Sequence, residues 1–186
     1  MKFEPLQRTL RDGKILIVRE AVQNDAKALV ELVTAYGNDA DMIPLEKGEF
    51  VPTIKQEEEW IRSFSIPPNS LLMLAEIEGR IVGNIDITGS HRRKLFHTAS
   101  LGISVRKEFQ GQGIGKELLM AALSWCTNNE FLELIWLQVY EDNEIARKMY
   151  EAAGFEVSGK QAEFFHEKRG RVGNVLMTAY LKKGTV

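Results

Sequence analysis

The 186-residue sequence predicts a mixed α/β fold: a central mixed β-sheet of about seven strands, flanked by helices on both faces. Three observations carry this. Alternating apolar runs of strand type are interleaved along the chain with stretches of helical period. The order strand, helix, strand over 95–140 calls for a parallel pair joined by a crossover. A 44% apolar composition suffices for the core of one domain over 1–186, with its centre at about 14–182.

The elements follow in order. Residues 14–20, KILIVRE, form a first strand after Gly13. Asn24 and Asp25 cap a helix through about Tyr36, with Ala28, Leu29, Leu32 and Val33 at helical spacing, and Gly37 ends it. The stretch 38–52 mixes acidic and apolar residues without a period and reads as a loop. Thr53 and Gln56 make a capping box for a second helix; Glu57, Glu58 and Glu59 complement its positive end, and Trp60, Ile61 and Phe64 face the core.

Two strands at 71–78 and 80–88, with a turn at Glu78-Gly79, make a hairpin, and a third run, 95–105, follows. A helix from Ile114 to about Asn128 precedes the β-rich 133–140. Asn143 caps a helix carrying Ala146, Met149, Tyr150 and Ala153, closed by Gly154 in a left-handed role. A short strand at 155–159 and a hairpin of 164–166 with 172–180, turning at Lys168-Arg169-Gly170, complete the chain.

Composition narrows the partners. Lys and Arg number 24 against 26 Asp and Glu, a formal charge of −2, which gives no general pull toward nucleic acid or anionic membrane. No apolar run approaches the ~18 residues of a membrane span. The first residues lack the apolar core of a signal peptide, and Cys126 is the single cysteine, so a cytoplasmic location is expected. One cysteine and three scattered histidines have no metal-ligand spacing, and no metal is expected. Edge strands are compatible with a homodimer.

The chemistry concentrates at VRKEFQGQGIG, residues 105–115, where an apolar strand gives way to an amphipathic helix. Backbone N–H groups at a helix start lack intrahelical acceptors and lie at the positive end of the macrodipole, an arrangement that suits a phosphate. Gly111, Gly113 and Gly115 allow close approach to those amides. A P-loop is excluded, because Gln110 occupies its first glycine position and Glu117 stands where a hydroxyl should hold magnesium. A Rossmann fingerprint is excluded too, since its third glycine would fall on Lys116.

What remains is Gln-x-x-Gly-x-Gly, met by Gln110, Gly113 and Gly115, followed about thirty residues on by Asn143-x-x-Ala146-x-x-x-Tyr150-x-x-x-Gly154-Phe155. Asn143 and Tyr150 stand two helical turns apart on nearly one face. Together these segments resemble motifs A and B of the GNAT superfamily of N-acetyltransferases, and the likeness runs from Leu71 to Phe155. It implies a GNAT-like fold and acetyl-CoA as acyl donor.

Carried over residue by residue, the resemblance implies that backbone around Ile103 and Val105 pairs with the pantetheine arm. The amides of Gly111, Gly113, Ile114, Gly115 and Lys116 hold the pyrophosphate, with Gln110 at the loop entrance. Asn143 bonds the pantetheine, Tyr150 faces the sulfur, and Arg147 or Lys148 reaches the 3′-phosphate. The acceptor it implies is a primary amine on a small molecule, an amino-acid-like compound or a peptide N-terminus, attacking directly in a ternary complex. The acidic loop residues Asp39, Asp41, Glu46 and Glu49 favour a cationic one. A non-catalytic acyl-CoA-binding module is the alternative function.

A free alkyl ammonium has a pKa near ~10.4, so about one molecule in a thousand is nucleophilic at neutral pH without a base. Many family members carry a glutamate on the strand before the glycine loop, whereas 95–105 contains no carboxylate. Tyr150 is assigned as general acid. His97, the only titratable base on that strand, is assigned as general base, with Asp86 or ordered water as alternatives.

Overall fold

The computed structural model describes residues 3–39 and 42–181, and for 38 and 39 the backbone alone. Eight strands form one sheet: β1 (Leu6–Thr9), β2 (Ile15–Glu20), β3 (Leu71–Ile77), β4 (Arg80–Gly89), β5 (Thr98–Val105), β6 (Leu134–Tyr140), β7 (Glu156–Glu167) and β8 (Gly170–Tyr180). Their order is β1-β2-β3-β4-β5-β6-β8-β7. Every neighbouring pair is antiparallel except β5–β6, the parallel pair the sequence predicts. The strand beyond the predicted seven is β1, a short, largely exposed edge with little apolar patterning. The two short runs expected at 155–159 and 164–166 are one strand, β7, with irregular register between Gln161 and Phe165.

Among the described residues four helices cover the sheet: α1 (Ala26–Asp39), α2 (Ile54–Ser65), α3 (Ile114–Asn128) and α4 (Glu144–Ala152). Strand alternation divides the core. Met73, Ala75, Ile85, Ile87 and Leu101 pack with Leu118, Ala122 and Trp125 of α3. Leu72 and Leu74 pack on the opposite face with Leu29 and Leu32 of α1 and Ile61 and Phe64 of α2. Tyr150 and Phe155 belong to the first cluster, which places α4 on the α3 face.

Local chemistry explains the boundaries. Gln56 N donates to Thr53 Oγ1 and Thr53 N to Gln56 Oε1, closing the capping box of α2. Glu78 (φ 51) and Gly79 (φ 78) turn the β3–β4 hairpin with two positive-φ residues. Gly37, expected to stop the first helix, lies inside α1, which continues to Asp39. The strand expected from Leu95 begins only at Thr98, because Arg93–Leu95 form a 3-10 turn held by Leu95 N donating to the Arg92 carbonyl. Among the described residues no helix is long and apolar enough to cross a membrane.

Candidate active site

Ser90 N donates to the Thr98 carbonyl and Arg106 N to the Val82 carbonyl. By the antiparallel alternation, the even-numbered residues of β5 therefore turn their N–H and C=O groups toward β4, and Leu101, Ile103 and Val105 turn theirs toward β6. Yet β5 and β6 pair only at Thr98↔Leu134, Ala99↔Ile135 and Ser100↔Trp136. Beyond Ser100 the two strands part while β6 stays paired with β8 through Tyr140. The result is a cleft in the sheet with the free backbone edge of Ile103 and Val105 on one wall. The Val105 carbonyl already receives Gln110 Nε2 at 3.0 Å, so Gln110 ties the loop to the strand end.

At the mouth of this cleft α3 begins. Its N-cap is Gly113, in the left-handed region (φ 88) and without a side chain to cap the helix, so the amides of Ile114, Gly115 and Lys116 are left to an external acceptor. A Cβ at Gly111 or Gly113 would meet nothing within 4 Å, so the protein does not crowd either position. A Cβ at Gly115 would touch Met149 Sδ (3.6 Å), Ile103 Cδ1 (3.8 Å) and Val105 Cγ2 (3.9 Å). The first turn of α3 is thus seated on β5 and against α4, bringing the two sequence motifs together. These features fit the elongated, anionic donor: an extended edge for its arm and open amides for its pyrophosphate.

Asn143 caps α4, its Oδ1 accepting from Ala146 N at 3.1 Å. Tyr150 is 6% exposed, its ring 5.7 Å from that of Phe155, and burial raises its phenol above the usual range. A phenol held protonated can give a proton to a leaving thiolate. Arg147 Nη1 folds back onto the Glu141 carbonyl at 3.0 Å, and Lys148 pairs with Glu144 at 3.4 Å, so each of these cations already has a partner within the chain. Cys126 lies fully buried on α3, where burial pushes its thiol up to about 12.

His97 is not brought to this place. It precedes β5, is exposed, and accepts from Glu133 N and Leu134 N through its carbonyl. The length of β5, roughly 23 Å at ~3.3 Å per residue, separates it from the glycine loop. The strand expected to carry it starts one residue after it, because the 3-10 turn at Arg93–Leu95 delays β5. Asp86 is the carboxylate near the cleft. It pairs with Gly102 across β4–β5, and a Cβ on Gly102 would stand 2.6 Å from Asp86 Oδ1, so the missing side chain makes the room that Asp86 fills. Thr88 Oγ1 donates to Asp86 Oδ2 at 2.9 Å, while burial pushes the carboxyl up to about 6.

Asn84 and Asp86 alternate onto the α1–α2 face, and Asn84 is 4% exposed with Oδ1 unpartnered. Between the two helices of that face a pocket of about 400 Å³ is lined by Val33 and Tyr36 of α1, Gln56, Glu57 and Trp60 of α2, and Phe50. The β7–β8 turn reaches across from the far side of the cleft: Arg169 pairs with Asp142 at 2.6 Å and Lys168 with Glu46 at 3.8 Å. Glu49 Oε2 accepts from Glu46 N, so the described part of the acidic loop is engaged with itself and with this turn. The side chain of Asp39 and all of Asp41 lie outside the described residues. Sequence reading missed Tyr36 and Glu57. The available signal was spacing: Glu57 shares its helical face with Trp60, Ile61 and Phe64, at i, i+3, i+4 and i+7, and is not on a solvated face.

Among the described residues no group of three His, Cys, Asp or Glu side chains is gathered to hold a metal ion. The profile of the acetyltransferase (GNAT) family matches residues 20–155. The L-amino acid N-acetyltransferase AaaT of Escherichia coli K12 is 30% identical over 100 residues, 54% of this chain and 62% of that protein, so the match spans less than two thirds of that relative. An acetyltransferase of the GNAT family from Streptococcus pneumoniae has a similar structure, with a TM-score of 0.86 at 26% identity, over 90% of this chain and 99% of its own. A phosphinothricin acetyltransferase of the GNAT superfamily from Sinorhizobium meliloti, solved in complex with acetyl-CoA, shares the fold with a TM-score of 0.79 at 19% identity, over 96% of this chain and 91% of its own. The chain belongs to the acetyltransferase (GNAT) family.

Proposed function

We propose that the protein transfers the acetyl group of acetyl-CoA to a primary amine by direct attack in a ternary complex. The observation that carries this reading is the parting of β5 from β6 directly beside the uncapped start of α3. In this reading the edge of Ile103 and Val105 pairs with the pantetheine arm, and the amides from Gly111 to Lys116 hold the pyrophosphate. Asn143, whose Oδ1 is spent on the cap, offers its Nδ2 to the arm.

The acceptor enters from the α1–α2 face. Asp86, near neutrality in its half-buried setting, takes the proton that the ammonium must lose before its nitrogen can attack the thioester carbonyl. Charge that develops on the carbonyl oxygen is met by the free N–H groups of the strand edge. As the carbon–sulfur bond breaks, Tyr150 gives its proton to the sulfur, and the second proton that the nitrogen sheds on becoming an amide restores the phenol, leaving the amide, free CoA and a protonated Asp86. No cysteine is used, in keeping with the buried, protonated Cys126.

The test is thiol release from acetyl-CoA across a panel of small amines, amino acids and peptides, alongside calorimetry of acetyl-CoA binding. Turnover with at least one amine is expected. Binding without turnover for any acceptor would overturn the transferase reading in favour of an acyl-CoA-binding module.

A further inference from the structure

The pocket between α1 and α2 has a composition that the transfer reaction alone does not require. Glu57 is 4% exposed and its Oε2 has no hydrogen-bond partner. Among the described residues no Lys, Arg or His pairs with it. A carboxylate confined in this way is costly unless something positive reaches it, and burial accordingly raises its pKa. Glu57 is the acid in the first turn of α2, where the helix end favours negative charge, but that field supplies no hydrogen-bond donor to Oε2. The other walls are Tyr36, Trp60 and Phe50, whose ring faces attract cations. Trp60 is fixed edge-on to Phe64 at 5.3 Å, and Phe64 is itself buried in the core.

A second carboxylate lies nearby. Burial together with the charges of Glu57 and Asp86 holds the Tyr36 phenol above its usual range, so both carboxylates act on that one side chain. Asp86 sits at the sheet beside the cleft and Glu57 on the helix above it.

We propose that this pocket binds a second cationic group of the acceptor, with Glu57 as its charge partner and the aromatic rings as its walls. The acceptor class is then a small molecule with two ammonium groups: one loses its proton at Asp86 and is acetylated, and the other stays charged against Glu57. A compound with a carboxylate beside its reacting amine is disfavoured, because it brings a negative charge toward two others. This inference rests on the transferase reading for which amine reacts, but the binding pocket is measurable without the donor.

The experiment compares diaminopropane, diaminobutane and diaminopentane with propylamine, butylamine and pentylamine, and with L-alanine, for wild type and Glu57→Gln. Calorimetry without acetyl-CoA reads binding, and thiol release reads kcat/KM. For wild type, at least one diamine is expected to bind about tenfold tighter than its matched monoamine, the factor ~1.4 kcal/mol supplies. Glu57→Gln should bring that ratio close to one, and Glu57→Asp should keep part of it. Unchanged acetyl-CoA affinity and a thermal midpoint no lower than that of wild type show that the fold is intact. A ratio near one in wild type, or one that survives in Glu57→Gln, overturns the proposal. Turnover without diamine preference would sink the pocket and keep the transferase reading. Glu57-dependent diamine binding with no turnover on any amine would do the reverse.

Discussion

On the α3 face of β4 and β5 the site is made of backbone, whereas on the α1–α2 face it is made of side chains. The first has the strand edge at Ile103 and Val105, the open glycine loop and the bare first turn of α3. The second has Asp86 in the gap left by Gly102, then Tyr36, Glu57 and Trp60 contributed by two helices. In the proposed reading a long anionic donor is held by amides that any sequence can supply if its glycines are right. A small acceptor is distinguished by charge and shape, which only particular side chains provide. Substitutions on the first face should therefore act through backbone conformation and donor affinity, and those on the second through proton transfer and acceptor choice.

The largest expected effect is on the first face. Gly113 holds φ 88 with open space where a Cβ would stand, so Gly113→Glu introduces no clash. It forces an unfavourable conformation and aims a negative charge at the anion site. Calorimetry should show acetyl-CoA affinity falling about 1000-fold, ~4 kcal/mol. Gly113→Asn, which tolerates the left-handed region and carries no charge, should lose far less. Equal losses for the two would remove charge from the account, and no loss for either would place the donor elsewhere.

Tyr150→Phe separates chemistry from binding. The ring remains packed against Phe155 and only the hydroxyl goes, so acetyl-CoA affinity should hold while kcat falls about 100-fold, the low end of general-acid effects. A wild-type kcat would assign the thiolate's proton to water.

The two faces were also unequally legible in the sequence. The donor side is local: Gln110, Gly113 and Gly115 lie within six residues, and Asn143 to Tyr150 within two helical turns, so spacing alone points to it. The parallel pair follows from the strand–helix–strand order. The acceptor side joins residues from α1, α2 and β4 that are separated by long stretches of chain, and no periodicity reports such a meeting. Composition explains Glu57 as a complement to the positive end of its helix, whereas its place on the stripe of Trp60, Ile61 and Phe64 is what marks it as buried. His97 was placed on the strand because alternation continues from Leu95, and nothing in that pattern discloses the 3-10 turn that excludes it.

Asp86→Asn tests the second face at its reactive end. The base must be ionised to accept a proton, and the wild-type carboxyl is pushed up to about 6, so kcat/KM should rise with pH through about 6 and level off above. In the variant that limb should vanish, with a fall of about tenfold at pH 8 if water carries the proton instead. Stability should move oppositely. An acid whose folded pKa lies above its ordinary 3.8 contributes fully below that value and loses its contribution as pH rises through about 6. Asp86→Asn should therefore raise the thermal midpoint relative to wild type at pH 8, with the gain disappearing by pH 4. A limb that survives the substitution would move the base elsewhere.

The smallest effect belongs to His97→Ala. The imidazole is exposed at the far end of β5, and the backbone carbonyl that anchors Glu133 and Leu134 is kept by alanine. Five residues of chain, roughly 16 Å at ~3.3 Å per residue, lie between it and Gly102 beside Asp86, so no single water bridges the histidine to an amine positioned there. The pH–rate profile should overlay that of wild type, with kcat/KM changed less than about twofold, since exposed substitutions without partners move little. Loss of the acidic limb in this variant, with retention in Asp86→Asn, would reverse the assignment of the base. The acceptor would then have to enter from the opposite end of the sheet, away from the pocket that Glu57 lines.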